Sequence, residues 1–139
     1  IRSGSRTVVC RSQNADAATP ACTTAAGNWG GWVAFVDTNR DGALTAGERV
    51  LRVTVMDPPA TIVASPAISG ANSRVMFRPD GMARTAAGAL LQAQIRVCMP
   101  ATIPADNARD LVITAGSRLN VLRSTAVVTA GACAAPANT

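Results

Sequence analysis

WVAFVDTNRDGALTAGERVLRVTV, residues 32–55, decides how the rest of the chain is read. Asp37, Asn39 and Asp41 stand at alternate positions, Gly42 follows, and Glu48 closes the run. That spacing fits D-x-[DN]-x-[DN]-G-x5-E, the loop of a calcium-binding EF-hand. An EF-hand needs a helix on either side of its loop. The entry here, NWGGWVAFV (28–36), carries two tryptophans and two glycines before β-branched and aromatic residues, which favours a strand. The exit, RVLRVTV (49–55), sets Leu51, Val53 and Val55 against Arg52 and Thr54 with a period of two. The loop is therefore expected first to join two antiparallel strands. Asp, Asn and Gly suit such a connection because they accept left-handed backbone and form Asx-turns. A calcium site at Asp37, Asn39, Asp41 and Glu48 outside a helix–loop–helix frame is the second reading. Leu44, at the eighth loop position, is apolar, as that position often is. On the first reading no cofactor or metal is expected.

Outward from this segment, short β-prone runs recur. TVVC (7–10) precedes a loop-like stretch, RSQNADAATPACTTAAGN (11–28). TIVAS (61–65) and RVMF (74–77) follow, then a Pro-Asp-Gly turn in RPDGMA (78–83). In ALLQAQIRVC (89–98), Leu91, Ala93, Ile95 and Val97 face one way and Gln92, Gln94 and Arg96 the other. LVIT (111–114) and RLNVLRS (118–124), joined by AGS, read as a closing hairpin, and AVVTAGAC (126–133) as an added edge strand. Strands at such short spacing with turns between them predict antiparallel sheets or a sandwich. No helix is expected, apart from the first few residues as the end of one, and no repeat is found.

The length of 139 residues suits one domain, 1–139. All thirteen basic residues are arginine, the net charge is +5, and the arginines are scattered, which fits an ordinary solvated surface. There is no histidine, tyrosine or lysine, and Glu48 is the only glutamate. Ser-His-Asp and Cys-His sites, P-loop lysines and Schiff-base lysines are thereby excluded. No pair of aspartates is framed by a hydrolase motif. The chain reads as non-enzymatic, with no catalytic residue. No apolar run reaches the length of a membrane span.

Cys10, Cys22, Cys98 and Cys133 form no C-x-x-C pair, and no histidine completes a zinc site. Two disulfides in an oxidising compartment are expected. Of three possible pairings, Cys10–Cys22 with Cys98–Cys133 closes the shorter loops and is the one expected.

Four segments together resemble a known family. GWVAFVDTNRDGALTAGERVLRV (31–53) resembles the G-W-x-x-F-x-D-x-(N/D)-x-(D/N)-G-x-x-x-x-G-E-x-x-L-R stretch of GspH/FimT-type pilin-like proteins. IRSGSRTVVCRS (1–12) is similar to the end of that family's N-terminal helix and its first strand. VMFRPDGMA (75–83) matches its F-x-P-D-G turn, and CMP with NARDLVITAGSRLNVLR resembles its final segment.

The resemblance implies an α+β, mostly β fold: a pilin-like globular domain of antiparallel sheets after the end of an N-terminal helix, here residues 1–5. It implies a hydrophobic helix that anchors members in the inner membrane before assembly. This chain lacks that helix, so it reads as a soluble piece starting near the helix end. The implied role is a minor pilin of a type IV pilus, a structural and assembly-priming subunit near the filament tip. The alternative is a minor pseudopilin of a type II secretion system. Implied partners are other minor and major pilins, and the implied location is a periplasmic or extracellular filament. FimT-like members also bind double-stranded DNA through a C-terminal G-R-x-R during natural transformation. Here that motif becomes GSRLNVLR, leaving Arg118 and Arg123 as candidates. They lie five residues apart, so a regular strand points them to opposite faces.

Overall fold

The computed structural model describes residues 5–139, and they form a mostly β, antiparallel structure. Of the residues expected to end a helix, 1–4 lie outside the described residues and Ser5 sits in a bend. β1 (Arg6–Ser12) is the centre of the first sheet, paired with β2 (Gly31–Asp37) on one side and β5 (Arg74–Phe77) on the other. β3 (Val50–Val55) and β6 (Ala83–Arg84) complete the order β3-β2-β1-β5-β6. The second sheet runs β4-β7-β8-β9, built from β4 (Thr61–Ala64), β7 (Ala93–Cys98), β8 (Ala108–Ile113) and β9 (Leu119–Ser124). The closing hairpin expected from 111–124 is the β8–β9 pair, with Leu111 opposite Val121.

Alternation explains the layers. Val8 and Cys10 of β1 share a face with Val33 and Phe35 of β2, and all four are fully buried. They are covered by the two loops that leave this sheet, through Ala15, Cys22 and Leu44. The opposite face turns Val75 towards the second sheet's Ile62, Ala64, Ala93 and Ile113. Trp29 bridges to Ile62 and fills this inter-sheet core.

One short helix, α1 (Pro66–Ser69), was not expected. Four residues are too few for a 3.6-residue period to be visible, but proline in the first turn pre-sets the helical φ. The helix buries Ile68 completely between the sheets, worth about 2 kcal/mol. The stretch 126–133 also departs from expectation. It does not extend a sheet but forms its own hairpin, β10 (Val128–Thr129) with β11 (Ala132–Cys133). The Cys98–Cys133 disulfide ties this hairpin over the outer face of the second sheet, where Ala108, Ala126 and Val128 pack around it. A second disulfide joins Cys10 to Cys22, with 12 residues of separation, and pins the 13–28 loop onto β1. Both bridges are those that close the shorter loops.

β3 corrects another expectation. Its alternation is real, yet Leu51, Val53 and Val55 are 45%, 44% and 48% exposed rather than buried. The strand lies at a sheet edge, and its register slips between Ala34 and Phe35. Nothing among the described elements covers it. On its other face Arg52 stacks over the Trp32 ring at 5.9 Å, a cation–π contact.

The arginines are not all solvated either. Arg11 is 7% exposed; its Nε donates to the Asn28 carbonyl at 2.9 Å and its Nη1 to the Ala25 carbonyl at 2.7 Å. It thus satisfies loop carbonyls that no ladder reaches.

Candidate functional site

The loop from Thr38 to Arg49 does join two antiparallel strands, β2 and β3. Its shape follows from its polar residues. The Asp41 amide donates to Asn39 Oδ1 at 3.2 Å, and the Ala43 amide to Asp41 Oδ1 at 2.9 Å, two successive Asx-turns. The Gly42 amide donates to Asp37 Oδ2 at 2.9 Å. Gly42 has φ 75°, left-handed backbone that favours glycine, and a Cβ there would collide with the Arg74 guanidinium. Glu48 folds back across the loop. Its Oε1 accepts from the Thr38 amide at 2.9 Å and its Oε2 from the Thr45 amide at 3.0 Å. Leu44 packs against the core beneath.

These bonds gather the candidates. One carboxylate oxygen from each of Asp37, Asp41 and Glu48 lies within 4.8 Å of the others. Asn39 is held beside them by its side-chain amide, which donates to Asp41 Oδ2 at 3.1 Å. Asp37 differs from its neighbours. It stands opposite Arg6 in the β1–β2 register, its side chain is fully buried, and Arg6 Nε donates to its Oδ2 at 2.8 Å. Its Oδ1 is buried with no hydrogen-bond partner. No sequence signal pointed to Arg6 as the partner, 31 residues away.

The basic candidates are not brought together. Arg118 is exposed in the β8–β9 turn, just before β9, whereas Arg123 is exposed near the end of β9. Arg123 makes only a long pair with Asp106, at 3.9 Å between two exposed groups. What sequence reasoning missed is Arg109. It lies directly opposite Arg123 in the β8–β9 register and is exposed too. Two like charges face each other there, on a surface that also presents Val97 and Val121. A second group, Arg6, Arg40 and Arg78, lines a cleft beside Asp37. Trp29 and Phe35 are buried in the cores and Trp32 and Phe77 packed against one, so none offers an open stacking platform for bases.

The described residues therefore offer a sheet-edged, disulfide-tied β domain whose clustered side chains are acidic turn residues and surface arginines. Residues 1–117 match the family described as type II transport protein GspH, and the chain belongs to that family. Its members are pilin-like structural subunits that work with other pilins or pseudopilins. No curated protein and no solved structure matches the chain. Among the described residues, no helix is long and apolar enough to cross a membrane.

Proposed function

We propose that the protein is a minor pilin of a type IV pilus, a structural and assembly-priming subunit near the filament tip. Family membership supports a filament subunit. The observation that carries the reading is the pair of uncovered sheet edges. β3 exposes Val50, Leu51, Val53 and Val55, and β9 exposes Leu119, Val121 and Leu122. Edge strands with such apolar side chains are templates for another chain unless something covers them. Neighbouring pilins in a filament are suited to that role. An anchoring hydrophobic helix before residue 1 would hold the subunit in the inner membrane until assembly.

The second reading, a minor pseudopilin of a type II secretion system, is favoured by the wording of the family description. Deleting the gene separates the two. Loss of surface pili or twitching, restored by the intact gene, supports the pilus subunit. Normal pili with accumulation of secreted enzymes in the periplasm supports the pseudopilin and overturns the first reading. A contact with double-stranded DNA belongs to the pilus reading alone, through exposed arginines that reach phosphates.

A further inference from the structure

We propose that the loop closed by Asp37 and Glu48 is a calcium site held in a β-hairpin frame. Three carboxylates meet there, with an oxygen of each within 4.8 Å of the others. An acidic cluster alone says little, because exposed carboxylates often stand near one another. The buried oxygen of Asp37 adds the second observation. Its side chain is fully enclosed, its Oδ2 serves both Arg6 and the Gly42 amide, and its Oδ1 has no partner. Buried anionic oxygens are ordinarily satisfied by a donor or a cation.

The charges around the loop are mixed. Asp37, Asp41 and Glu48 carry three negative charges, and the arginine on a carboxylate of this group is Arg6, committed to Oδ2. Arg74 lies against Gly42, but it donates to the Asp41 carbonyl at 3.4 Å, not to a carboxylate. Arg40 is exposed in the same loop. Arg40 and Arg78 also line the cleft beside Asp37, so it is the gathered carboxylate oxygens and the unpartnered Asp37 Oδ1, not net charge, that suit a divalent cation.

The donor set selects the ion. The carboxylates and the Asn39 side-chain carbonyl are hard oxygen donors, and neither histidine nor free cysteine stands in the chain. Such a set suits calcium, which accepts flexible, many-oxygen geometry, over zinc or copper. Magnesium demands a tighter octahedron and gives up water reluctantly. The paired helices of an EF-hand serve to fix the ends of the loop. Here the β2–β3 ladder fixes both ends, and Leu44, packed against the core of Val8, Val33 and Phe35, fixes the middle.

The test uses the full chain, treated with chelator and titrated with calcium chloride by calorimetry and thermal melting. Saturable heat is expected, with a Kd of about 10⁻⁴ to 10⁻³ M, the range of extracellular calcium modules, and a rise in Tm. Asp37→Asn also loses the Arg6 pair, so Asp41→Asn and Glu48→Gln carry the test, each with its fold checked by circular dichroism. Each is expected to weaken calcium binding about tenfold or more, because affinity follows ligand charge count. Asp57→Asn, outside the loop, is expected to bind as the parent does. Absence of saturable heat overturns the site, as does equal binding by the two loop variants. Equal affinity for magnesium overturns the assignment to calcium.

Discussion

Arg96 on β7 stands directly opposite Asp110 on β8, and the two meet as a fork: Nε to Oδ1 at 2.7 Å and Nη2 to Oδ2 at 2.9 Å. Arg96 Nη1 also donates to the Ala134 carbonyl at 3.0 Å, so the pair fastens the C-terminal segment to the second sheet. Burial by itself would raise the Asp110 pKa. The Arg96 hydrogen bonds, the neighbouring Ser124 hydroxyl and the Arg96 charge outweigh it and hold the carboxyl below its ordinary value. For Arg96 the hydrogen bond to Asp110 outweighs burial and raises the pKa.

Breaking this pair is expected to be costly. The side chains are 12% and 7% exposed, so Asp110→Asn strands a charged guanidinium under the C-terminal segment. Loss of about 3–5 kcal/mol in urea unfolding is expected, the usual penalty for an uncompensated buried charge. The same pair sets an acid limit. Because the folded pKa of Asp110 lies below that of an ordinary aspartate, its contribution is complete above the unfolded value. It is lost as pH falls below about 4 and through the folded pKa. Asp110→Asn is expected to flatten this part of the stability–pH curve, whereas Asp57→Asn is not.

The two disulfides are expected to differ in what they hold. Cys98–Cys133 spans 35 residues and ties down a hairpin of two-residue strands that has little packing of its own. Replacing both cysteines by serine is expected to cost about 2–5 kcal/mol and to expose the 125–139 backbone to amide exchange. Replacing Cys10 and Cys22 is expected to cost a similar amount, but to free the 13–28 loop. Equilibrium unfolding with hydrogen-exchange mapping checks both.

Phe35 fixes the other side of the first sheet. It is fully buried among Val8, Cys10 and Val33, two residues before Asp37. Phe35→Ala is expected to cost about 3–5 kcal/mol in urea unfolding. Because this core anchors Leu44, the same change is expected to loosen the 38–49 loop, seen as faster amide exchange there.

Most strands were legible because each pairs an alternating pattern with a buried face: Val8 and Cys10, Val33 and Phe35, Ala93 with the half-buried Ile95. β3 has the same pattern without the burial, because a pattern records which residues share a face and not whether a neighbour covers it. α1 and the β10–β11 hairpin are too short to show any period. The loop's turn chemistry was written in its Asp, Asn and Gly residues. Its electrostatic centre was not, since the Arg6–Asp37 pair depends on the β1–β2 register. Register likewise places Arg109 beside Arg123, although 14 positions separate them in the chain.

That last juxtaposition changes which arginines a DNA contact would use. The family resemblance nominated Arg118 and Arg123, but Arg118 lies in the turn and Arg123 shares its strand face with Arg109. If the pilus reading includes DNA, the Arg109–Arg123 pair is the denser phosphate contact, because two adjacent cations, Arg123 with a long pair to Asp106 and Arg109 donating to the Ala108 backbone carbonyl, can neutralise neighbouring phosphates. Arg109→Gln with Arg123→Gln is expected to remove most binding to a double-stranded probe in fluorescence anisotropy. Arg118→Gln is expected to remove less. Both substitutions of the pair lie at exposed positions, so unfolding midpoints are expected to stay close to the parent's. Replacing Arg40 and Arg78 beside the cleft tests the other basic group, and is expected to leave binding nearly intact. Removing two phosphate-binding cations should lower the slope of log affinity against log salt by about 2, for a duplex with no sequence preference. Equal weakening by every arginine pair would mean a diffuse basic surface and no DNA site. Unchanged affinity in the Arg109/Arg123 variant would remove that pair from the reading.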